Sequence, residues 1–299
     1  MPLKQVDRRI PKRLHERPTV TVCIAAICKS DDRVDAIVCT SDIPLSWRHP
    51  SEDLATIKLM KVHPNWHAMI AGTFGHRLRV LHNISEDLKA EPEVTVLQVE
   101  DAFANAYKEY RRKLVDELVL APYGLRMEEF SQYRAEFGDS IFERLLGEIG
   151  RVKVGCEFLV CGFGPKRPHI FGVSNPTADN PSCITMHDER CFGAIGSGAY
   201  LAESGLYAYR QNAWNSVDIT IYQTCAAKFS AEAATGVGKA TSLRVLKKGG
   251  FLDYDDSLPD KLRKIWEKTR PKVPRAALAV IEASKREAKD SVGKEEAER

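Results

Sequence analysis

The apolar and polar positions of this chain fall into blocks with two different periods. "TVTVCIAAIC" (19–28) and "DAIVCTS" (35–41) read as strands, joined by the polar turn "KSDDRV" into a hairpin. "TIKLMKV" and "WHAMIAG" form a second strand pair, turning at His63-Pro64-Asn65. The period then changes. Phe74, Leu78, Leu81 and Leu88 make a helical stripe over 74–90, and Val99, Phe103, Tyr107, Tyr110 and Leu114 another over 96–119. Phe130, Phe137, Ile141 and Leu145 mark a third helix over 127–148, weakened at Gly138. Strands return with "CEFLVCGF" (156–163) and "HIFGVS" (169–174), and "ERCFGAIGSG" ends a further strand at a glycine pair. "AYLAESGLYAYR" is helical, and Ser216 caps "VDITIYQTCAAKFSAEAA". "TSLRVLKKGG" is a last strand and turn, followed over 258–299 by a helix and a charged tail.

Strands segregated from helices argue against an alternating parallel α/β sheet. They predict an α+β fold with two antiparallel sheets face to face and helix pairs outside. Runs such as "CIAAIC", where alternation is poor, suit sheets buried on both faces.

Composition narrows the function classes. The chain has 299 residues, 43% hydrophobic and 28% charged, the profile of a globular protein with a sizeable core. A net charge of +3 argues for neither nucleic acid nor membrane partners. No apolar run reaches the roughly 18 residues of a spanning helix. Residues 1–18 are basic without an apolar stretch, unlike a secretory signal, and Asp7 and Glu16 count against an organelle transit peptide. The expected compartment is the cytoplasm. Eight cysteines are scattered through apolar runs without a CxxC pair, which suits reduced, buried thiols. Cys23/Cys28 and Cys156/Cys161 are spaced to point to opposite strand faces, and Pro64 separates His63 from His67, so no metal site is expected.

Read in order, "TVTVCIAA", "VCTSD", "IKLMKV", "AMIAGTFG", "EFLVCGFG…PHIFGVS" and "FGAIGSGAYLAESGL" resemble the landmarks of proteasome β-type subunits, a branch of the N-terminal-nucleophile hydrolases. The resemblance covers roughly residues 19–247. It implies a four-layer αββα sandwich over 19–250, with a helical insertion near 105–145. Flanking it are a basic extension at 1–18, a candidate propeptide, and a C-terminal helical extension with a disordered tail at 251–299.

The resemblance also implies chemistry. Thr19 matches the nucleophile, whose hydroxyl attacks a peptide carbonyl while its freed α-amine takes the proton. Lys58 would lower the hydroxyl pKa, and Asp42 would hold the ammonium. Gly72 matches the glycine whose N–H forms the oxyanion hole. Ser197 matches the serine near the nucleophile's amine. Glu232 and Thr235 fall where the family has Asp and Ser, and Ser46 where a hydroxyl holds substrate backbone. No cofactor is implied; the partners are a peptide or protein substrate and either further copies of the chain in a homo-oligomer or related subunits in a ring.

The chain departs from the pattern in three places. Pro18 stands where active members have glycine, Pro44 replaces a basic residue, and the interval from Thr19 to Asp42 is long. Each residue also has a plain structural use: Thr19 as a β-former, Asp42 as a turn starter, Lys58 as an edge-strand lysine, Gly196 and Gly198 as a tight turn, Glu232 as a helix-end charge. Three functions stay open: a threonine peptidase, a non-cutting ring or assembly subunit with an intact N-terminus, and an amidohydrolase acting on a small amide.

Overall fold

The computed structural model describes residues 21–30, 32–43, 58–88, 91–130, 132, 134–178, 180–252, 254–270 and 274–284. It divides into a large unit, Met1–Leu262, and a C-terminal unit, Arg263–Arg299. Among the described residues no helix is long and apolar enough to cross a membrane.

The large unit is α+β, with two antiparallel five-stranded sheets. β1 (Cys23–Lys29) and β2 (Asp35–Asp42) form the first hairpin; β3 (Leu59–His63) and β4 (Trp66–Gly72) form the second. Helices α1 (Phe74–Leu88) and α2 (Val96–Val115) follow. Thr95 caps α2 through a reciprocal capping box with Gln98, satisfying two backbone donors at once. Beyond α2 the helix loosens into a π turn at Asp116–Leu120 and a 3-10 turn at Ala121–Tyr123. The expected third helix is two: α3 (Met127–Phe130) and α4 (Arg134–Arg151). Gly138 breaks the helical path of α4 with φ 70°, ψ 157°. β5 (Cys156–Phe163), β6 (Pro168–Val173), β7 (Ile184–Met186) and β8 (Phe192–Ile195) lead to α5 (Ala199–Ala208) and α6 (Val217–Ala231). β9 (Thr241–Lys247), β10 (Gly250–Leu252) and α7 (Leu258–Thr269) complete the elements.

One sheet runs β10-β9-β2-β1-β8, the other β3-β4-β5-β6-β7. Strand alternation sends alternate residues of β1 into two cores. Cys23, Ala25 and Ile27 join Met69, Leu159 and Ile170 between the sheets. Val22, Ile24 and Ala26 join Ala202, Leu206 and Ala227 of α5 and α6. On the far side, Ile70, Phe158 and Phe171 pack against Ile84 of α1 and Phe103 of α2. Helices, sheet, sheet and helices therefore stack as layers, and β1 is buried on both faces, as its unbroken apolar run requires.

Buried side chains between Val115 and Ile149 build a separate cluster, with Leu120, Phe130, Phe142 and Leu145 at its centre. The rings of Phe130 and Phe142 stack at 4.7 Å. Two short elements, β7 and β10, escape the sequence pattern because three residues are too few to show a period. β1 starts at Cys23 rather than residue 19. Residues 19 and 20 lie outside the described residues.

Candidate functional site

Three polar side chains meet at the end of the first hairpin, where an apolar core would ordinarily exclude them. Asp42 is the last residue of β2, Lys58 directly precedes β3, and Thr21 lies two residues before the start of β1. All three are buried, with 1%, 7% and 4% of their surface exposed. The Thr21 hydroxyl donates to Asp42 Oδ1 at 2.6 Å. Lys58 Nζ donates to the same oxygen at 2.5 Å and to the Thr21 hydroxyl oxygen. Charge in so dry a place is tolerable only when paired and hydrogen-bonded. Asp42 meets that requirement with two further donors: Val22 N–H to Oδ1 at 2.8 Å and Gly238 N–H to Oδ2 at 3.1 Å.

The backbone of Thr21 is held with equal care. Its N–H donates to Ser197 Oγ at 3.3 Å, and Ser197 Oγ returns a bond to Thr21 O at 3.4 Å. Gly198 N–H reaches the same carbonyl at 3.2 Å. This fit explains the glycine before Ser197. Gly196 has φ +91°, and a Cβ there would lie 2.4 Å from Thr21 O. Its N–H donates to Glu157 Oε2 at 3.3 Å. The GSG segment therefore wraps the Thr21 peptide rather than merely turning into α5.

The sequence candidates divide as follows. Asp42, Lys58 and Ser197 converge, and the hydroxyl they converge on is that of Thr21. Thr19 and Ser46 lie outside the described residues. Gly72 closes β4 with φ +116°. A Cβ there would come within 2.5 Å of Cys156 Cα and Gly155 O, so the neighbouring strand itself demands glycine at this point. Glu232 does not contact the Thr21 hydroxyl; it caps α6 and pairs with the buried Lys228 at 2.6 Å. Thr235 is exposed in the turn after α6.

Sequence reasoning missed Thr21, Glu157 and Gly238. A signal existed for the first: two residues after Thr19, Thr21 has the same hydroxyl and shortens the interval to Asp42. Glu157 and Gly238 carry no such signal, since only strand packing and loop closure bring them here.

The nearest sulfur is no rival nucleophile. Burial pushes the Cys23 thiol up to about 12, against the pull of Lys58, so it stays protonated near neutrality. Cys39 and Cys161 face each other between the sheets at 3.6 Å, and their hydrogen-bond contact, with burial adding to it, raises Cys39 well above the ordinary thiol range. A hydroxyl that donates to a carboxylate and accepts from an ammonium is polarised toward the alkoxide, a state the adjacent cation stabilises. Comparison with protein-family models and with curated proteins found no match to this chain.

Proposed function

We propose that this chain is a proteasome-like threonine hydrolase of peptide or other amide bonds, with Thr21 as its nucleophile. The observation that carries the reading is the buried three-way contact of the Thr21 hydroxyl with Lys58 and Asp42. The order of sequence landmarks and the stacking of two antiparallel sheets between helix layers support the same reading.

In the uncut chain the Thr21 nitrogen is an amide and cannot take a proton. Cleavage of the Val20–Thr21 bond converts it to an amine beside Ser197 Oγ, within reach of its own hydroxyl. The steps then balance. Thr21 Oγ bonds to the substrate carbonyl carbon, and its proton passes to the Thr21 amine. Lys58 stabilises the developing oxygen charge. The amide C–N bond breaks, the leaving amine takes the proton, and an ester on Thr21 remains for water to hydrolyse. Asp42 anchors Lys58 and fixes the hydroxyl's direction, and Ser197 positions the amine.

A second reading has its own support. Thr21 is 4% exposed, so no substrate reaches it before rearrangement. Uncut, the chain is a non-catalytic subunit of an assembly. Intact-mass measurement separates the two. Loss of residues 1–20 with hydrolysis of a fluorogenic peptide, abolished by Thr21→Ala and retained by Thr19→Ala, is the expected result. A chain that keeps its N-terminal residues, with no turnover, supports the assembly role instead. Full turnover by Thr21→Ala overturns the assignment.

A further inference from the structure

We infer that Lys228, neutralised by Glu232, is a positioning residue that acts on the nucleophile through the loop at 238–240; the inference rests on the hydrolase reading above. Lys228 lies in α6 and is fully buried. Its ammonium donates to Glu232 Oε1 at 2.6 Å and to the carbonyls of Gly238, Lys239 and Ala240 at 2.7, 2.8 and 3.2 Å. Burying an ammonium is unfavourable unless its donors are well used. Here they gather three successive carbonyls onto one point.

That gathering has a consequence on the opposite side of the loop. With its carbonyls turned to Lys228, the segment presents Gly238 N–H to Asp42 Oδ2 at 3.1 Å. Ala240 O, shared with Lys228, also accepts Ile43 N–H at 3.0 Å. Residues 42 and 43 are thus seated on a loop whose shape the buried ammonium sets. The approach is close: a Cβ on Gly238 would lie 2.4 Å from Ile43 O and 3.3 Å from Asp42 Oδ2. Contact runs continuously from Glu232 to Lys228, to the loop, to Asp42, and so to Lys58 and the Thr21 hydroxyl.

α6 is built for this placement. Thr220, Thr224, Lys228 and Glu232 recur every four residues, which puts them on one helix face. The first three are completely buried, in a helix otherwise rich in buried apolar side chains. Thr224 also bonds the Thr40 hydroxyl at 3.0 Å, tying the same face to β2 two residues before Asp42. A polar stripe turned inward toward the strand that carries Asp42 serves that strand.

The test uses the full chain and the double substitution Lys228→Met/Glu232→Gln, which removes the buried ammonium together with its half-buried carboxylate partner at nearly constant volume and so avoids an uncompensated ion. Two readouts are taken. Amide hydrogen exchange at Gly238 is expected to accelerate at least about tenfold, because the carbonyls on its far side are released. Acylation of Thr21 by a peptide β-lactone, followed by intact mass, is expected to slow by about 10–100-fold, with kcat for a fluorogenic peptide falling equally and KM constant within about twofold. A helix merely weakened by the substitution changes thermal stability without that split. Glu232→Gln alone, which leaves Lys228 on its carbonyls, is expected to move both readouts in the same direction by a few-fold.

Unchanged exchange at Gly238, or accelerated exchange with an unchanged acylation rate, overturns the inference. If the unsubstituted protein is itself neither acylated nor active, the hydrolase reading fails, and the inferred role in catalysis falls with it. The exchange at Gly238 then still decides separately whether Lys228 shapes the loop.

Discussion

Asp42→Asn is the sharpest single perturbation of the buried cluster, since it removes a charge and almost no volume. The carboxylate accepts from the Thr21 hydroxyl, Lys58 and Val22 N–H on Oδ1 and from Gly238 N–H on Oδ2. An amide has one acceptor oxygen. If that oxygen replaces Oδ1, the new NH2 faces Gly238 N–H; if it replaces Oδ2, the NH2 faces Lys58 and Val22. In either orientation a donor meets a donor, and Lys58 keeps a buried charge without its counter-ion. Breaking a buried ion pair from one side costs about 3–5 kcal/mol, and an orphaned buried N–H about 1–3 kcal/mol. Because the two effects share one site they do not add fully, and a total of about 4–6 kcal/mol is expected. That is a large share of the roughly 5–15 kcal/mol of a typical domain. It corresponds to a fall in Tm of about 10–20 °C for a unit of this size. Urea unfolding followed by tryptophan fluorescence measures it, since Trp66 is fully buried. Asp42→Asn/Lys58→Met, which removes both charges and keeps an acceptor oxygen for the Thr21 hydroxyl and Val22 N–H, is expected to lose only about 1–3 kcal/mol, from the orphaned Gly238 N–H. A loss below about 1 kcal/mol for Asp42→Asn, or a double variant less stable than the single one, would refute the view of Asp42 and Lys58 as a mutually dependent buried pair.

Three further outcomes follow from other parts of the structure. His67 and His187 are both buried, and burial, helped by Lys61 and Arg190 respectively, lowers each to about 4. Their stabilising contribution is therefore complete above the unfolded value near 6.5 and is lost as pH falls toward 4, by about 2–3 kcal/mol per ring at pH 4.5. Urea midpoints between pH 7 and 4.5 should show this slope, with His67→Leu removing its own share and a pH-independent midpoint counting against it. Gly196→Ala forces a Cβ to 2.4 Å from Thr21 O at a positive φ, and a stability loss of about 2–5 kcal/mol in urea titration is expected; a neutral substitution would show that the GSG wrap is loose. Phe142→Ala removes one ring of the stacked Phe130–Phe142 pair and should cost about 3 kcal/mol. Hydrogen exchange should then accelerate within 115–149 and leave the β1–β2 hairpin protected, because the two regions belong to separate clusters; acceleration spread over β1 would join the Phe142 cluster to the main core.

Much of the architecture was legible because side-chain period is a local property. The first two hairpins, the stripe of α2 and the capped start of α6 each announce themselves within a dozen residues, and segregation of strands from helices excluded a parallel sheet. Asp42 and Lys58 were legible as a pair only through the resemblance to the proteasome β-type pattern, which has an acid after its second strand and a lysine opening its third. What one dimension could not decide was which hydroxyl meets them. Thr19 and Thr21 have the same side chain and the same strand parity, and only the register of β1, with Cys23 opposite Ser41, sets Thr21 beside Asp42. The donors that complete the site come from still farther away. Gly238 N–H and Ser197 Oγ are separated from their partners by 196 and 176 residues. Such contacts exist only once two sheets and the α6 layer have closed, because a backbone N–H carries no side-chain signature and its direction is set by the packing around it.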